Sequence, residues 1–176
     1  MSAVTNTDTL VQNNETQTRN PTSESLFQKI GGIANFLLGW THTEVRWNLN
    51  GPYKVYSGKL GVDGIFQFPK KSKIIAISLT NLVTGTSGTT EIDIKTTNNT
   101  LGTWTSIFTT TPKFTASSVS GSSVNLSSGA TGTTVPVMIT TPFNVSANDY
   151  LRMDVISVMD GGPQNLSVTL IYAARV

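Results

Sequence analysis

The stretch Lys73-Ile-Ile-Ala-Ile-Ser-Leu-Thr-Asn-Leu82 constrains this chain more than any other, because it is the longest apolar run with strand chemistry. Ile75, Ile77 and Leu79 alternate with Ala76, Ser78 and Thr80, and Lys70, Lys71 and Lys73 flank its entry as charges commonly flank a sticky strand. We read it as a central β-strand. Within it, Ile74-Ile75-Ala76-Ile77 carries apolar groups on both faces, so each face needs cover. A second sheet supplies one cover, and residues 22–39 are the candidate for the other.

The rest of the chain from Trp40 onward has the same character. Candidate strands are Glu44–Asn48, Tyr53–Ser57, Ile65–Phe68, Thr89–Thr96, Thr103–Phe108, Val135–Thr140, Tyr150–Ser157 and Leu166–Ala174. Turn residues separate them at short intervals: Asn50-Gly51-Pro52, Asp63-Gly64, Thr84-Gly-Thr-Ser-Gly88, Asn98-Asn99 and Asp160-Gly-Gly-Pro163. With no helical pattern between strands, the expected fold is all-β: an antiparallel β-sandwich, a jelly roll or related Greek key of about eight strands. In Glu91-Ile-Asp-Ile-Lys95 and Leu151-Arg-Met-Asp-Val155 the charges alternate with apolar residues, which predicts one buried and one wet face for each strand. The first of these is expected to lie next to the central strand. Residues 116–134, rich in Ser, Thr and Gly, read as a long loop or irregular strand.

The N-terminal part differs. Residues 1–21 hold only Val4, Leu10 and Val11 as large apolar side chains and cannot fold alone, so they form an extended polar arm. Leu26, Ile30, Ile33, Leu37 and Trp40 then fall at a 4-3-4-3 spacing, with Phe27 widening the stripe. We expect a short amphipathic docking helix in residues 22–40, capped at Thr22 or Ser23 and interrupted by Gly31-Gly32. Its stripe serves packing on the sandwich or contact with a partner or second copy. It lacks the basic polar face of a membrane-surface helix. The domains expected are therefore 1–21, 22–40 and 41–176.

Composition narrows the function. Charged residues make up 12% of the chain, so Thr, Ser and Asn must build the polar surface, as suits a protein packed against neighbours. A net charge of +2 leaves no electrostatic footprint for nucleic acid. The absence of cysteine removes disulfides, thiolate metal sites and a cysteine nucleophile. The first residues lack the basic and apolar regions of a secretory leader, and no apolar run approaches the ~18–20 residues of a membrane span. No export and no membrane contact are expected.

Chemistry-bearing constellations are few. His42 and Glu44 share a strand face, which allows a His–carboxylate pair, but a single histidine without cysteine makes a poor zinc site; a surface or subunit-contact histidine is the preferred reading. Glu91 and Asp93 also share a face, as glycosidase carboxylates do, yet Lys95 follows on that face and turns them into a charge-balanced surface. Lys70, Lys71 and Lys73 follow Phe66 and Phe68, an aromatic-plus-basic cluster whose simpler role is to guard the strand. Trp47, Tyr53, Tyr56 and Trp104 offer aromatic faces for stacking on sugar rings, against the alternative of core packing. No catalytic residue, metal site or cofactor is expected.

Several segments carry a resemblance: Gly61-Val-Asp-Gly-Ile-Phe-Gln-Phe68 through Ile92-Asp-Ile-Lys95, Gly102-Thr-Trp-Thr-Ser-Ile-Phe-Thr-Thr-Thr-Pro112, Phe143-Asn-Val-Ser-Ala-Asn-Asp-Tyr-Leu-Arg-Met-Asp154, and Leu166-Ser-Val-Thr-Leu-Ile-Tyr172. Together they resemble jelly-roll-like β-sandwich virion proteins of tailed bacteriophages, over roughly residues 53–174. The resemblance implies a non-enzymatic capsid decoration (cement) or head-fibre protein, made in the host cytoplasm and resident in the virion. Its implied partners are the major capsid protein or another virion protein, and itself in a cyclic oligomer, with a trimer favoured. Attachment would run through residues 1–40. A tail or fibre component and a carbohydrate-binding β-sandwich module are the alternatives.

Overall fold

The computed structural model describes residues 40–58 and 64–175. The expected arm and the helical stripe from Leu26 to Leu37 lie outside the described residues, whereas Trp40, expected to close the docking helix, opens a strand.

Among the described residues every regular element is a strand. Five of them, β1 (Trp40–Pro52), β4 (Ser72–Val83), β9 (Ser122–Asn125), β12 (Phe143–Val145) and β14 (Gln164–Arg175), form a first sheet in the order β1-β14-β4, with β9 and β12 sharing the far side of β4. A second sheet runs β10-β8-β5-β13, built from β10 (Thr133–Thr134), β8 (Lys113–Thr115), β5 (Thr89–Thr97) and β13 (Tyr150–Ser157). There β6 (Thr105–Ser106) also pairs with β5, and β2 (Tyr56–Ser57) and β3 (Ile65–Gln67) share the outer side of β13. A small third sheet joins β7 (Phe108–Thr110) to β11 (Val137–Met138).

The central strand is where the sequence places it, but its neighbour is not. β5 does not pair with β4; the chain leaves β4 through Thr84–Gly88, crosses to the second sheet and pairs with β13. β13 then crosses back through Val158–Pro163 into β14, which pairs with β4 along most of its length. The two crossings run side by side. Thr86 N–H donates to Asp160 O at 2.7 Å, Asp160 N–H donates to Ser87 O at 3.0 Å, and the Ser87 hydroxyl donates to Asp160 Oδ2 at 2.9 Å.

Period-two alternation delivers one face of each central strand to a shared core. Ile74, Ile77 and Leu79 of β4 and Leu166, Val168 and Leu170 of β14 meet Ile92 and Ile94 of β5 and Leu151, Met153 and Val155 of β13, all buried. The inward positions of β4 jump from Ile74 to Ile77 because the ladder carries a bulge where Ile171 and Tyr172 face Ala76 and Ile74. Phe68 and Tyr172 close one end edge-to-face at 5.2 Å between ring centres. In a chain without disulfides, each such buried Ile or Leu contributes about 1.5–3 kcal/mol relative to exposure.

Residues 116–134 hold more order than their composition predicts. β9 joins the first sheet, Val124 going into the core beside Leu79, and β10 extends the second. Asn125 Oδ1 closes the turn after β9 by accepting from the backbone N–H groups of Ser127 and Ser128.

Candidate functional site

The outward faces of the two sheets are chemically opposite. On the second sheet, β5 and β13 place Asp93 directly across from Asp154 and Lys95 directly across from Arg152. Like charges face each other in both rows, an arrangement that is unfavourable taken row by row. The rows neutralise one another instead. Lys95 Nζ lies 3.0 Å from Asp154 Oδ2 and 3.8 Å from Asp93 Oδ2, and Arg152 Nε lies 2.8 Å from Asp154 Oδ1. Ser106 on β6 donates its hydroxyl to Asp93 Oδ1 at 2.6 Å, and the Arg152 guanidinium stacks 4.4 Å from the Trp104 ring centre.

Both aspartates, read from the alternation as wet, are buried: Asp93 is 4% and Asp154 2% exposed. Burial pushes the Asp93 carboxyl above its ordinary range against the pull of Ser106 and Lys95. Glu91, one step along, moves the other way because Thr111 donates to it at 2.5 Å and Lys113 Nζ sits 3.1 Å away. Glu91 and Asp93 are thus engaged by separate partners.

The outward face of the first sheet carries no such cluster. Cross-strand rows pair Thr80 with Ser167, Ser78 with Thr169 and Ala76 with Ile171. The β4 bulge adds Ile75, and Leu126 beyond β9 completes an open groove of about 460 Å³ with no charged residue in its lining. A second hollow of about 240 Å³ continues the face past Leu82, which is 52% exposed, to Asn48 on β1. Charges on this side stand at its borders, with Glu44 and Arg46 on β1 and Lys73 at the other end of β4.

The remaining candidates fall as follows. Trp47 and Tyr53 are buried in the core, so neither ring is open to a sugar. Tyr56 faces inward beside Val155, its cross-strand partner, whereas Trp104 covers Arg152 on the outward side; the two half-buried aromatics lie on opposite faces of one sheet. Phe66 and Phe68 pack on Tyr172 rather than beside Lys70 and Lys71, which are exposed in the turn before β4. His42 is exposed, and Glu44 pairs with Arg46 at 2.6 Å. Of the proposed docking residues, Trp40 begins β1 and Leu26, Phe27, Ile30, Ile33 and Leu37 lie outside the described residues. Leu126 carries no signal of this place in the sequence, because it sits in a Ser-rich stretch and its two-residue spacing from the core residue Val124 points inward. Among the described residues, no group of three or more His, Cys, Asp or Glu side chains is placed to hold a metal ion.

No family model matches the sequence, and no curated protein matches it. Among solved structures, the chain is similar to one described as the cyanophage Pam1 capsid asymmetric unit, with 11% identity over 77% of this chain and 84% of that one and a TM-score of 0.34. Two structures of infectious bursal disease virus, of the Gt and Gx strains, follow at 10% and 9% identity, covering 75% and 76% of this chain and 33% of theirs, each with a TM-score of 0.24. Scores this low define no shared fold.

Proposed function

We propose that this chain is a non-catalytic structural virion protein, a jelly-roll-like capsid decoration (cement) or head-fibre component that attaches to the capsid lattice. The carrying observation is the contrast between faces: one sheet has its charges mutually neutralised, and the other keeps its charges at the borders around an uncharged apolar groove. An interface core is depleted of charge, because desolvating an unpaired ion costs far more than covering Ser, Thr and Ile. The segment resemblance to phage virion proteins supplies the class of particle. The separate engagement of Glu91 and Asp93 supports a role without hydrolysis. Residues 1–40 act as an attachment element in addition to this face, and the copies associate in a cyclic oligomer.

Co-sedimentation with particles lacking the protein tests the reading. Full-length protein is expected to bind, and deletion of residues 1–40 is expected to abolish binding. Ile171→Lys, which puts a charge into the groove, is expected to weaken it at least tenfold, about 1.4 kcal/mol. Undiminished binding of the deletion removes the arm from the proposal, and undiminished binding of Ile171→Lys removes the groove.

A further inference from the structure

β1 ends the first sheet: it pairs with β14 on one side, and no strand among the described residues pairs with its other side. This edge is 13 residues long, from Trp40 to Pro52, and the devices that usually blunt an edge, a positive-φ glycine and a proline, are confined to its last two residues, Gly51 and Pro52. No Pro or Lys occurs between Thr41 and Asn50. Two observations show which backbone groups face outward. Gly51 N–H donates to Asn165 Oδ1 at 2.7 Å, which turns odd-numbered residues of β1 toward β14. On the far side of β4, Asn81 O accepts from Gly121 N–H at 3.1 Å; alternation carried back across β4 and β14 gives the same phase. The N–H and C=O groups left without a strand partner among the described residues therefore belong to His42, Glu44, Arg46 and Asn48.

We infer that this edge pairs antiparallel with the same edge of a second copy about a two-fold axis at Val45, joining the first sheets of two subunits into one. Only even-numbered residues can exchange hydrogen bonds across it, so few registers exist. Centred on Glu44 or on Arg46, the pairing sets like charges directly opposite. Centred on Val45, it sets Glu44 against Arg46 of the second copy and Arg46 against Glu44 of the second copy, and His42 against Asn48 in the same way. Opposite charges in direct cross-strand pairs favour that register, and like charges exclude its two neighbours. The Glu44–Arg46 ion pair already present within one strand, with side chains 44% and 60% exposed, becomes one side of a four-charge array. Paired main-chain groups give the contact its strength, as in other strand additions, and its self-complementarity makes it two-fold. The contact stands apart from the capsid reading and names dimer as the closed cyclic form.

Sedimentation equilibrium on the full chain tests it through a charge swap. The wild type is expected to dimerise. Glu44→Arg and Arg46→Glu are each expected to raise the dimer dissociation constant tenfold or more, because each sets like charges opposite each other, while the double variant E44R/R46E restores dimerisation by inverting the pair. Rescue by the double variant separates pairing from misfolding. A monomeric wild type, a trimer, or a dimer indifferent to both single changes overturns the inference. So does a double variant as weak as the singles whose unfolding midpoint matches wild type.

Discussion

Asp93 on β5 and Asp154 on β13 are direct cross-strand partners whose carboxylates are both buried on the outward side of the second sheet, with Lys95 reaching each. Two buried anions in one row survive because the next row along the same strands is cationic.

Removing Lys95 exposes that dependence. Lys95→Met leaves both carboxylates with one cation fewer. Its cost is expected toward the lower end of the about 3–5 kcal/mol seen on breaking buried ion pairs, since the Lys95 side chain retains 26% exposure. Adding Asp93→Asn should recover part of the loss. Urea unfolding of the two single variants and the double gives the coupling; strictly additive effects would show that the row-by-row neutralisation is incorrect.

The pH dependence follows from Asp93. Its carboxyl is raised in the folded state above the ordinary 3.8, so its protonated form stabilises the fold, fully below 3.8 and decreasingly as pH rises through the raised value. Asp93→Asn keeps a neutral side chain at every pH. Its stability relative to wild type is therefore expected to improve from pH 3.5 to pH 7, as read from urea unfolding at both ends of that range. A difference that stays flat or moves the other way contradicts a raised Asp93. Glu91, lowered by Thr111 and Lys113, acts oppositely, and its contribution fades as pH falls through its lowered value. Comparing Asp93→Asn with wild type at each pH cancels that background.

The paired crossings make Gly85 intolerant. A Cβ there would lie 2.2 Å from Asp160 O and 2.5 Å from Met159 Cβ, so one of the two crossings must move. Gly85→Ala is expected to destabilise by about 1–3 kcal/mol. Gly102→Ala, whose nearest neighbour would be 3.9 Å away, serves as the control and should stay within about 0.5 kcal/mol. Thermal unfolding of both variants decides it.

Tyr53 donates its hydroxyl to Asn81 Oδ1 at 3.0 Å inside the core, and Asn81 is fully buried. Tyr53→Phe leaves that oxygen without its donor, at a cost of about 1–3 kcal/mol. The double variant Tyr53→Phe, Asn81→Leu should be less destabilised than Tyr53→Phe alone, because the buried amide that lost its donor is then replaced by an apolar side chain. Denaturant midpoints compare the three proteins.

Strands with clear alternation were legible: β4, β5, β13 and β14 lie where the residues place them. The short strands β8, β9, β10 and β12 were not, because two to four residues carry no period and their pairing is imposed by the strand alongside. Expecting β5 beside β4 took sequence adjacency for spatial adjacency, whereas the Thr84–Gly88 link crosses between sheets. Of the functional surface, Ile75 and Ala76 were legible as a doubly apolar strand segment. The groove they line was not, because Leu126, just past β9, and Ile171 of β14 come from segments far apart in the chain.

By itself the sequence determined the class of fold, the central strand, and which side chains share a face, because a two-residue period is local and a one-residue slip would turn every apolar group outward. The tertiary structure decided which strands meet and which outward faces are covered. It buried Asp93 and Asp154 by bringing Lys95, Ser106 and Arg152 around them, and it left β1 at the edge of its sheet. Burial and charge compensation depend on neighbours distant in the chain, and no local period encodes those.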